Sequence, residues 1–461
     1  MTKIVCLGAG SFSFGLSTLL TLLQSKPLQG SEICLVDIDQ QALEMMTGLA
    51  NWLNEAWDSH KVVSSYSQRK EALKDADFIV SAIETQPRDA LWRKDQELTD
   101  RFGLRQPYGE NGGPGGFAHA ARNVNTLLEI AADVEALAPR ATLINFTNPM
   151  HRVCYLLNEY TSVKTVGLCH QLAMGYAMVA KALAQEYKIE GADEFLSTHA
   201  DPANHAQGAF LAEQGLEKFK ITAAGLNHFT WMLQVQDRAT GEDLYPRFRA
   251  AWAKADPAFE PLTRRVFDIF GLFPIPGDEH LCEYLPWMCN PQTKPWERFD
   301  LSLYNWELMS AIRDYQWEHV TDLVRSRKSL DMFEDPHSEG AVELIESLTF
   351  NQPLYWEAVN IPNHGLISGL SDQTIVEVPA TVNGDGIQGQ VIGEMPKGIT
   401  NLLQREALCS QLGIDAVVQG SRELALQSLL LDPVVNDIEL AESILDEILL
   451  ENKAYLPQFF D

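Results

Sequence analysis

The chain has 461 residues and a mass of 51.5 kDa, with 46% apolar and 21% charged residues. This length predicts two or three domains, or one large α/β unit with a second lobe. A net charge of −28 excludes a general nucleic-acid binder, because phosphates would be repelled. Apolar runs fall short of the roughly 18 residues of a membrane span, so no membrane partner is expected.

Seven cysteines are spread thinly along the chain, at positions 6, 34, 154, 169, 282, 289 and 409. They form no C-x-x-C pair and no dense framework, which is typical of reduced thiols. Glycines interrupt the apolar region that a secretory leader would need near the start. Together these features predict a cytoplasmic protein.

Strands and helices alternate over residues 1–190. Strands are predicted at Lys3–Leu7, Glu32–Val36, Phe78–Ala82, Ala141–Asn145 and Val163–Leu168. Helices are predicted between them at Phe14–Leu23, Gln40–Ala56 and Val124–Leu137. This alternation predicts an α/β fold whose N-terminal domain is a Rossmann-like, doubly wound parallel sheet.

Residues 191–461 have a coarser pattern, which predicts a C-terminal α+β lobe. The boundary is placed near residue 190. Predicted strands lie at Lys220–Ala224, at Thr230–Gln236 and within Glu357–Val382. Predicted helices lie at Leu301–Ser326, Ser338–Thr349, Asn401–Leu431 and Ile438–Glu451.

A glycine-rich loop, GAGSFSFG at residues 8–15, follows the first strand and opens a helix. Gly8, Gly10, Ser11 and Phe12 are expected to approach the pyrophosphate of a dinucleotide at the helix N-terminus. The spacing departs from GxGxxG, because a serine stands at the third glycine position. Asp37 ends the second strand, where a carboxylate binds the adenosine ribose and favours NAD over NADP.

Two short segments carry a thiol and an imidazole, Cys169 after a predicted strand and His228 at a strand–loop junction. A thiolate and an imidazole from different segments can bind a divalent metal and leave positions open for substrate oxygens. The spacing alone leaves a second interpretation open, in which both residues are buried structural groups.

Other polar clusters lie in turn-rich segments. Asn148 follows a strand at the expected carboxyl edge of the sheet, and residues 107–116 form a loop that we expect to be flexible. The turn at residues 276–280 carries three ionisable groups. Each segment alone is typical of an ordinary loop.

In combination and in this order, these segments resemble the family-4 glycoside hydrolases, which depend on NAD and a divalent metal. The resemblance runs through Asn148-Pro149, Cys169-His170 and Asn227-His228 into residues 360–365 and 396–398. It implies a C-terminal lobe and overall fold like those of the lactate/malate dehydrogenase superfamily. It also implies a homodimer or homotetramer.

The resemblance also implies roles for individual residues. Cys169 and His228 match the ligands of Mn²⁺ or another divalent metal, and Asp278 matches the catalytic base. Asn148 and Arg122 match substrate-binding positions. His170 lies in the segment that approaches the leaving group, which gives it a catalytic role.

The implied reaction is transient oxidation of the sugar at C3 by NAD, C2 deprotonation, elimination and water addition. A Cys-His pair, rather than Cys-Asn or Cys-Asp, resembles the branches that hydrolyse unphosphorylated α-glucosides, α-galactosides or α-uronides. Phe229-Thr230-Trp231 leans toward the α-galacturonidase type. Two alternatives stay open: an NAD-dependent dehydrogenase of a hydroxy acid or sugar, and an NAD-binding sensor without turnover.

Overall fold

The computed structural model describes residues 1–11, 14–106, 108–198, 202–288, 290, 292–334 and 339–460. One mixed sheet runs through this part of the chain. Its strands are β1 (Lys3–Leu7), β2 (Glu32–Val36), β3 (Val62–Tyr66), β4 (Phe78–Ser81), β5 (Thr142–Asn145), β6 (Lys164–Gly167), β7 (Phe219–Leu226), β8 (Phe229–Asp237), β9 (Phe273–Pro274), β10 (Leu354–Pro362), β11 (Ile375–Asn383) and β12 (Gly386–Gly389).

The first six strands are parallel and lie in the order β3-β2-β1-β4-β5-β6. This is the strand order of a Rossmann sheet, so the predicted fold class is confirmed. Along β1, Ile4 and Cys6 pack into the core on one face, and Val5 and Leu7 into the core on the other. Successive side chains point to opposite faces, and helices cover both faces, which explains why the strand is apolar throughout.

The antiparallel strands continue the same sheet beyond β6, in the order β10-β11-β7-β8-β9. Two single residue pairs make the junctions, Asn360 with Gly167 and Glu377 with Gly225. The C-terminal half is therefore α+β, as predicted. Because the sheet is continuous, the division near residue 190 stays a prediction.

The helices lie on both faces of the sheet and at its ends. They are α1 (Gly15–Gln24), α2 (Gln40–Ala56), α3 (Arg69–Leu73), α4 (Arg88–Arg101), α5 (Gly113–Leu137), α6 (Met150–Tyr160), α7 (Gln171–Ala182), α8 (Ala184–Tyr187), α9 (Pro202–Lys218), α10 (Tyr245–Lys254), α11 (Pro261–Phe270), α12 (Asp278–Leu281), α13 (Pro295–Arg298), α14 (Trp306–Ser326), α15 (Ala341–Phe350), α16 (Lys397–Gln419), α17 (Arg422–Leu431) and α18 (Ile438–Glu451). Within the described ranges, every helix is too short or too polar to cross a bilayer.

Two predicted elements are wrong. The helix predicted over Asn401–Leu431 is two helices, because Gly420 has a φ of 64° and Ser421 caps α17. The loop predicted at residues 107–116 is not a flexible cover. Gly113 already begins α5, and a Cβ on Gly116 would lie 2.4 Å from the carbonyl oxygen of Asn111.

The last helices return to the first half of the sheet. Ile414 of α16 and Ile444 and Leu445 of α18 share a buried cluster with Val5 of β1. The end of the chain therefore covers one face of the parallel strands.

Candidate active site

The glycine-rich loop between β1 and α1 lies next to the end of β2. The N–H of Gly10 donates to Asp37 Oδ2 at 2.7 Å, and the N–H of Ser11 donates to the Gly8 carbonyl at 2.8 Å. A Cβ on Gly8 would meet the Ala82 carbonyl oxygen at 2.4 Å, so only glycine fits this turn. Phe12, the remaining predicted cofactor contact, lies outside the described residues.

Gly15 takes over the packing role of the displaced third glycine, because a Cβ there would lie 2.3 Å from the Ala9 carbonyl oxygen. The loop, the N-terminus of α1 and the half-buried Asp37 thus form a cradle with the shape and polarity of a dinucleotide site. These residues fit NAD.

Cys169 and His228 come together, as predicted, although 59 residues separate them. Cys169 follows β6, and His228 lies in the two-residue turn between β7 and β8 with a φ of 60°. The Cys169 Sγ atom lies 3.4 Å from His228 Nε2. Both donors therefore converge on one point beyond the carboxyl end of β6.

The electrostatics of the pair suit a divalent metal. Burial and the neighbouring His280 hold the pKa of His228 well below its usual range, so the imidazole is neutral and can ligate. Burial raises the pKa of the Cys169 thiol to about 12, so a metal has to displace its proton to bind the thiolate. A thiolate and a neutral imidazole form a donor set for Mn²⁺ or Zn²⁺.

Glu110 and Asn111 stand beside this pair, and sequence reasoning missed both. The Asn111 Nδ2 atom lies 2.8 Å from His228 Nδ1 and 3.1 Å from Glu110 Oε2. Glu110 Oε1 accepts from Asn148 Nδ2 at 3.5 Å. Asn148 is therefore held at the site, next to an acidic group. The available signal was an acid within a glycine-rich segment.

An aromatic wall borders the site. His280 stacks on Tyr108 with ring centroids 4.3 Å apart, and its ring lies 4.6 Å from that of His228. Tyr304 lies 5.5 Å from Tyr108, and Trp92 lies 5.1 Å from Tyr304. Trp92 and Tyr108 are almost fully buried, and no pattern in the sequence links these positions.

His170 lies on the exposed side of Cys169 and pairs with Glu339, at 3.0 Å between Nδ1 and Oε2. The Glu339 carboxylate raises the pKa of His170, which favours an imidazolium that can donate a proton. Phe14 lies beside the His170 ring, with centroids 6.0 Å apart.

Asp278 is not brought into contact with the metal pair in the described part of the chain. Its carboxylate accepts the backbone N–H groups of Leu262 at 2.8 Å and Thr263 at 2.6 Å, and its side chain is 1% exposed. Burial and the neighbouring Glu260 raise the pKa of Asp278 well above its ordinary value. Its role as the base stays a prediction.

Arg122 is buried, and its role in substrate binding stays a prediction. It lies inside α5, is 2% exposed, and makes a bidentate ion pair with Asp95 at 2.8 and 2.6 Å. This buried pair joins α5 to α4. The sequence predicted a helix only from Val124 onward, because the glycines before Arg122 concealed the first turns of α5.

The fold and the site define a Rossmann-type α/β enzyme whose polar groups meet at the carboxyl edge of the sheet. The chain belongs to family 4 of the glycosyl hydrolases: the model of that family matches residues 3–185, and the model of its C-terminal domain matches residues 223–435. It is therefore a glycoside hydrolase.

Three similar proteins are matched over almost their whole length. An α-glucosidase of Erwinia rhapontici is 29% identical over 99% of each chain, and an α-galactosidase of Bacillus subtilis is 28% identical over 100% of each. An α-galacturonidase of Thermoanaerobacter italicus is 27% identical, over 98% of this chain and 97% of that protein.

Solved structures have the same fold. A glucosidase candidate of Bacillus subtilis superposes with a TM-score of 0.82 at 25% identity, over 97% of this chain and 99% of that one. A 6-phospho-α-glucosidase from gut microorganisms, solved with NAD and Mn²⁺, has a TM-score of 0.77 at 21% identity, over 99% of each chain.

Proposed function

We propose that the protein hydrolyses unphosphorylated α-hexopyranosides or α-uronides, namely α-glucosides, α-galactosides or α-galacturonides, with NAD and Mn²⁺ or another divalent metal. The approach of Cys169 Sγ to His228 Nε2 at 3.4 Å carries the proposal. The similar α-glucosidase, α-galactosidase and α-galacturonidase support it and span the three sugars.

When bound, NAD supplies reversible oxidation of the sugar at C3, and the metal supplies Lewis acidity. Gly8 and Gly10 let the backbone approach the dinucleotide, and Asp37 binds the adenosine ribose. Cys169 and His228 hold the metal. Asn148, held by Glu110 at 3.5 Å, orients the sugar hydroxyls beside it.

Two side chains, His170 and Asp278, transfer protons in the proposed reaction. His170, charged through Glu339, protonates the leaving group from the exposed side of the site. Asp278 removes the C2 proton, for which a raised pKa suits a base that works near neutral pH. Glu110 is the alternative base, because its carboxylate lies 3.9 Å from His228 Nδ1.

We further propose a cytoplasmic homodimer or homotetramer with an NAD-binding domain over residues 1–190 and a substrate- and metal-binding domain over 191–461. Six described cysteines are free thiols, which supports a reducing compartment. Light scattering after gel filtration measures the subunit count, and a monomer would contradict the proposal.

The test of function is a panel of nitrophenyl α-glucoside, α-galactoside, α-glucuronide and α-galacturonide with NAD⁺ and Mn²⁺. Nitrophenol release without net NADH supports the proposal. Net NADH formation without release would instead support a dehydrogenase.

A further inference from the structure

A buried carboxylate lies in the antiparallel half of the sheet, on the strand next to β10, which pairs with β6 of the parallel half. Glu377 of β11 is 2% exposed. Its Oε2 atom accepts from Asn227 Nδ2 at 2.8 Å and from Asn360 Nδ2 at 3.0 Å. Each asparagine is itself fully buried.

Strand pairing places this trio directly behind the segments that carry the metal pair. Asn360 of β10 pairs with Gly167, two residues before Cys169, and Glu377 pairs with Gly225 of β7. Asn227 immediately precedes His228 in the turn after β7. A single carboxylate oxygen therefore links both segments.

The arrangement is costly for stability. The Oδ1 atoms of Asn227 and Asn360 are buried and have no hydrogen-bond partner in the described part of the chain. Each unsatisfied buried acceptor lowers stability, and burial of the carboxylate adds a desolvation penalty. An apolar trio would fill the same space at lower cost, so these groups point to a function.

We propose that Glu377 is a positioning residue for the metal: through Asn227 and Asn360 it fixes the separation of Cys169 and His228. This inference rests on the proposed function. Groups behind metal ligands typically contribute 10- to 100-fold in metal affinity, by orienting the ligands and complementing the charge.

The experiment compares Mn²⁺ binding by the wild-type protein, Glu377→Gln and a matched control, with free Mn²⁺ followed by electron paramagnetic resonance. The control is Glu357→Gln, the same substitution on β10, at a carboxylate that instead pairs with Arg238 near the surface. For Glu377→Gln we expect Mn²⁺ affinity to fall about 10- to 100-fold. NAD affinity should stay within about twofold, and excess Mn²⁺ should restore most of the turnover.

Several outcomes would overturn the inference. Wild-type Mn²⁺ affinity in Glu377→Gln would do so, as would equal loss of Mn²⁺ and NAD affinity or turnover that excess metal does not restore. If Glu377→Gln does not fold, Asn227→Ala and Asn360→Ala take its place, and unchanged Mn²⁺ affinity in both is the contrary result. A wild-type protein that binds no Mn²⁺ would contradict the proposed metal site as well.

Discussion

The parallel and antiparallel halves of the sheet carry their functional side chains in different ways. In the parallel half, Gly8, Gly10 and Asp37 belong to one strand–helix–strand unit. In the antiparallel half, His228 lies at a hairpin tip next to Asn227, whose partner Glu377 is 150 residues away. Neighbours in sequence thus build the cofactor cradle, whereas strand pairing builds the proposed metal site. The two functions should therefore be separable by mutation.

The largest expected effect is the loss of a metal donor. Cys169→Ser and His228→Ala should each abolish turnover and weaken Mn²⁺ binding, because only two protein donors are proposed. NAD affinity should stay within about twofold. Cys34→Ser, a cysteine in β2, is the control and should keep its activity. Full activity in either variant, or in chelator-treated protein, would show that both residues are buried structural groups rather than metal ligands.

Next in size is the loss of the base. Asp278→Asn should lower turnover about 10²- to 10⁴-fold, because an amide cannot accept the C2 proton. In D₂O the wild-type product should carry deuterium at C2, and the variant should lose this exchange. Glu110→Gln should raise KM through Asn148 and keep the exchange. The reverse pattern, with exchange lost in Glu110→Gln alone, would assign the base to Glu110.

A smaller effect is expected in the cofactor cradle. Asp37→Ala should weaken NAD binding about tenfold and relax the preference against NADP, whose phosphate would otherwise meet a carboxylate. Mn²⁺ affinity should not change, since the carboxylate interacts with Gly10 and Asp39 rather than with the metal pair. Isothermal titration calorimetry with NAD, NADP and Mn²⁺ measures the three affinities. Equal NAD and NADP affinity in the wild type would contradict the assignment.

The smallest effect is on the free energy of unfolding, at the contact between Glu283 and residues 108–109. Glu283 accepts the N–H groups of Tyr108 and Gly109, and burial raises its pKa from 4.5 to about 8. Between those values the folded chain holds a proton that the unfolded chain releases, so stability falls as pH rises from about 5 to 8. Between pH 5.5 and 8, the free energy of unfolding should fall by at least about 1 kcal/mol less in Glu283→Gln than in the wild type, since one pKa unit is about 1.4 kcal/mol. Urea unfolding at the two pH values measures this free energy, and an equal fall in both proteins would contradict the prediction.

Regular elements with visible caps were predictable from the sequence. Helices α2 and α18 have the predicted bounds, because the side chains of Asp39 and Asp437 accept the first free N–H groups. The start of α5 was not predictable. Its three glycines and one proline favour a loop, but close packing against Asn111 and Gln106 overrides that preference.

The residues of the site also divide into those that the sequence could predict and those that it could not. The pairing of Cys169 with His228 was expected from the family resemblance, and the structure brings the two together. The contacts of Glu110, His280 and Glu377 were not predictable, since each residue has a neighbour more than 50 residues away along the chain: His228 for Glu110 and His280, and Asn227 for Glu377. The ion pair of Arg122 with Asp95 was not predictable either, because it depends on packing that no local pattern reveals.

The return of α16 and α18 to the parallel strands has a consequence for synthesis of the protein. Val5 leaves the ribosome well before Ile444, Leu445 and Leu456, which belong to the cluster that buries it. A nascent chain that stops before residue 397 leaves that face of the sheet only partly covered and open to aggregation or chaperone binding. Strand β1 thus completes its core only after α18 has been translated.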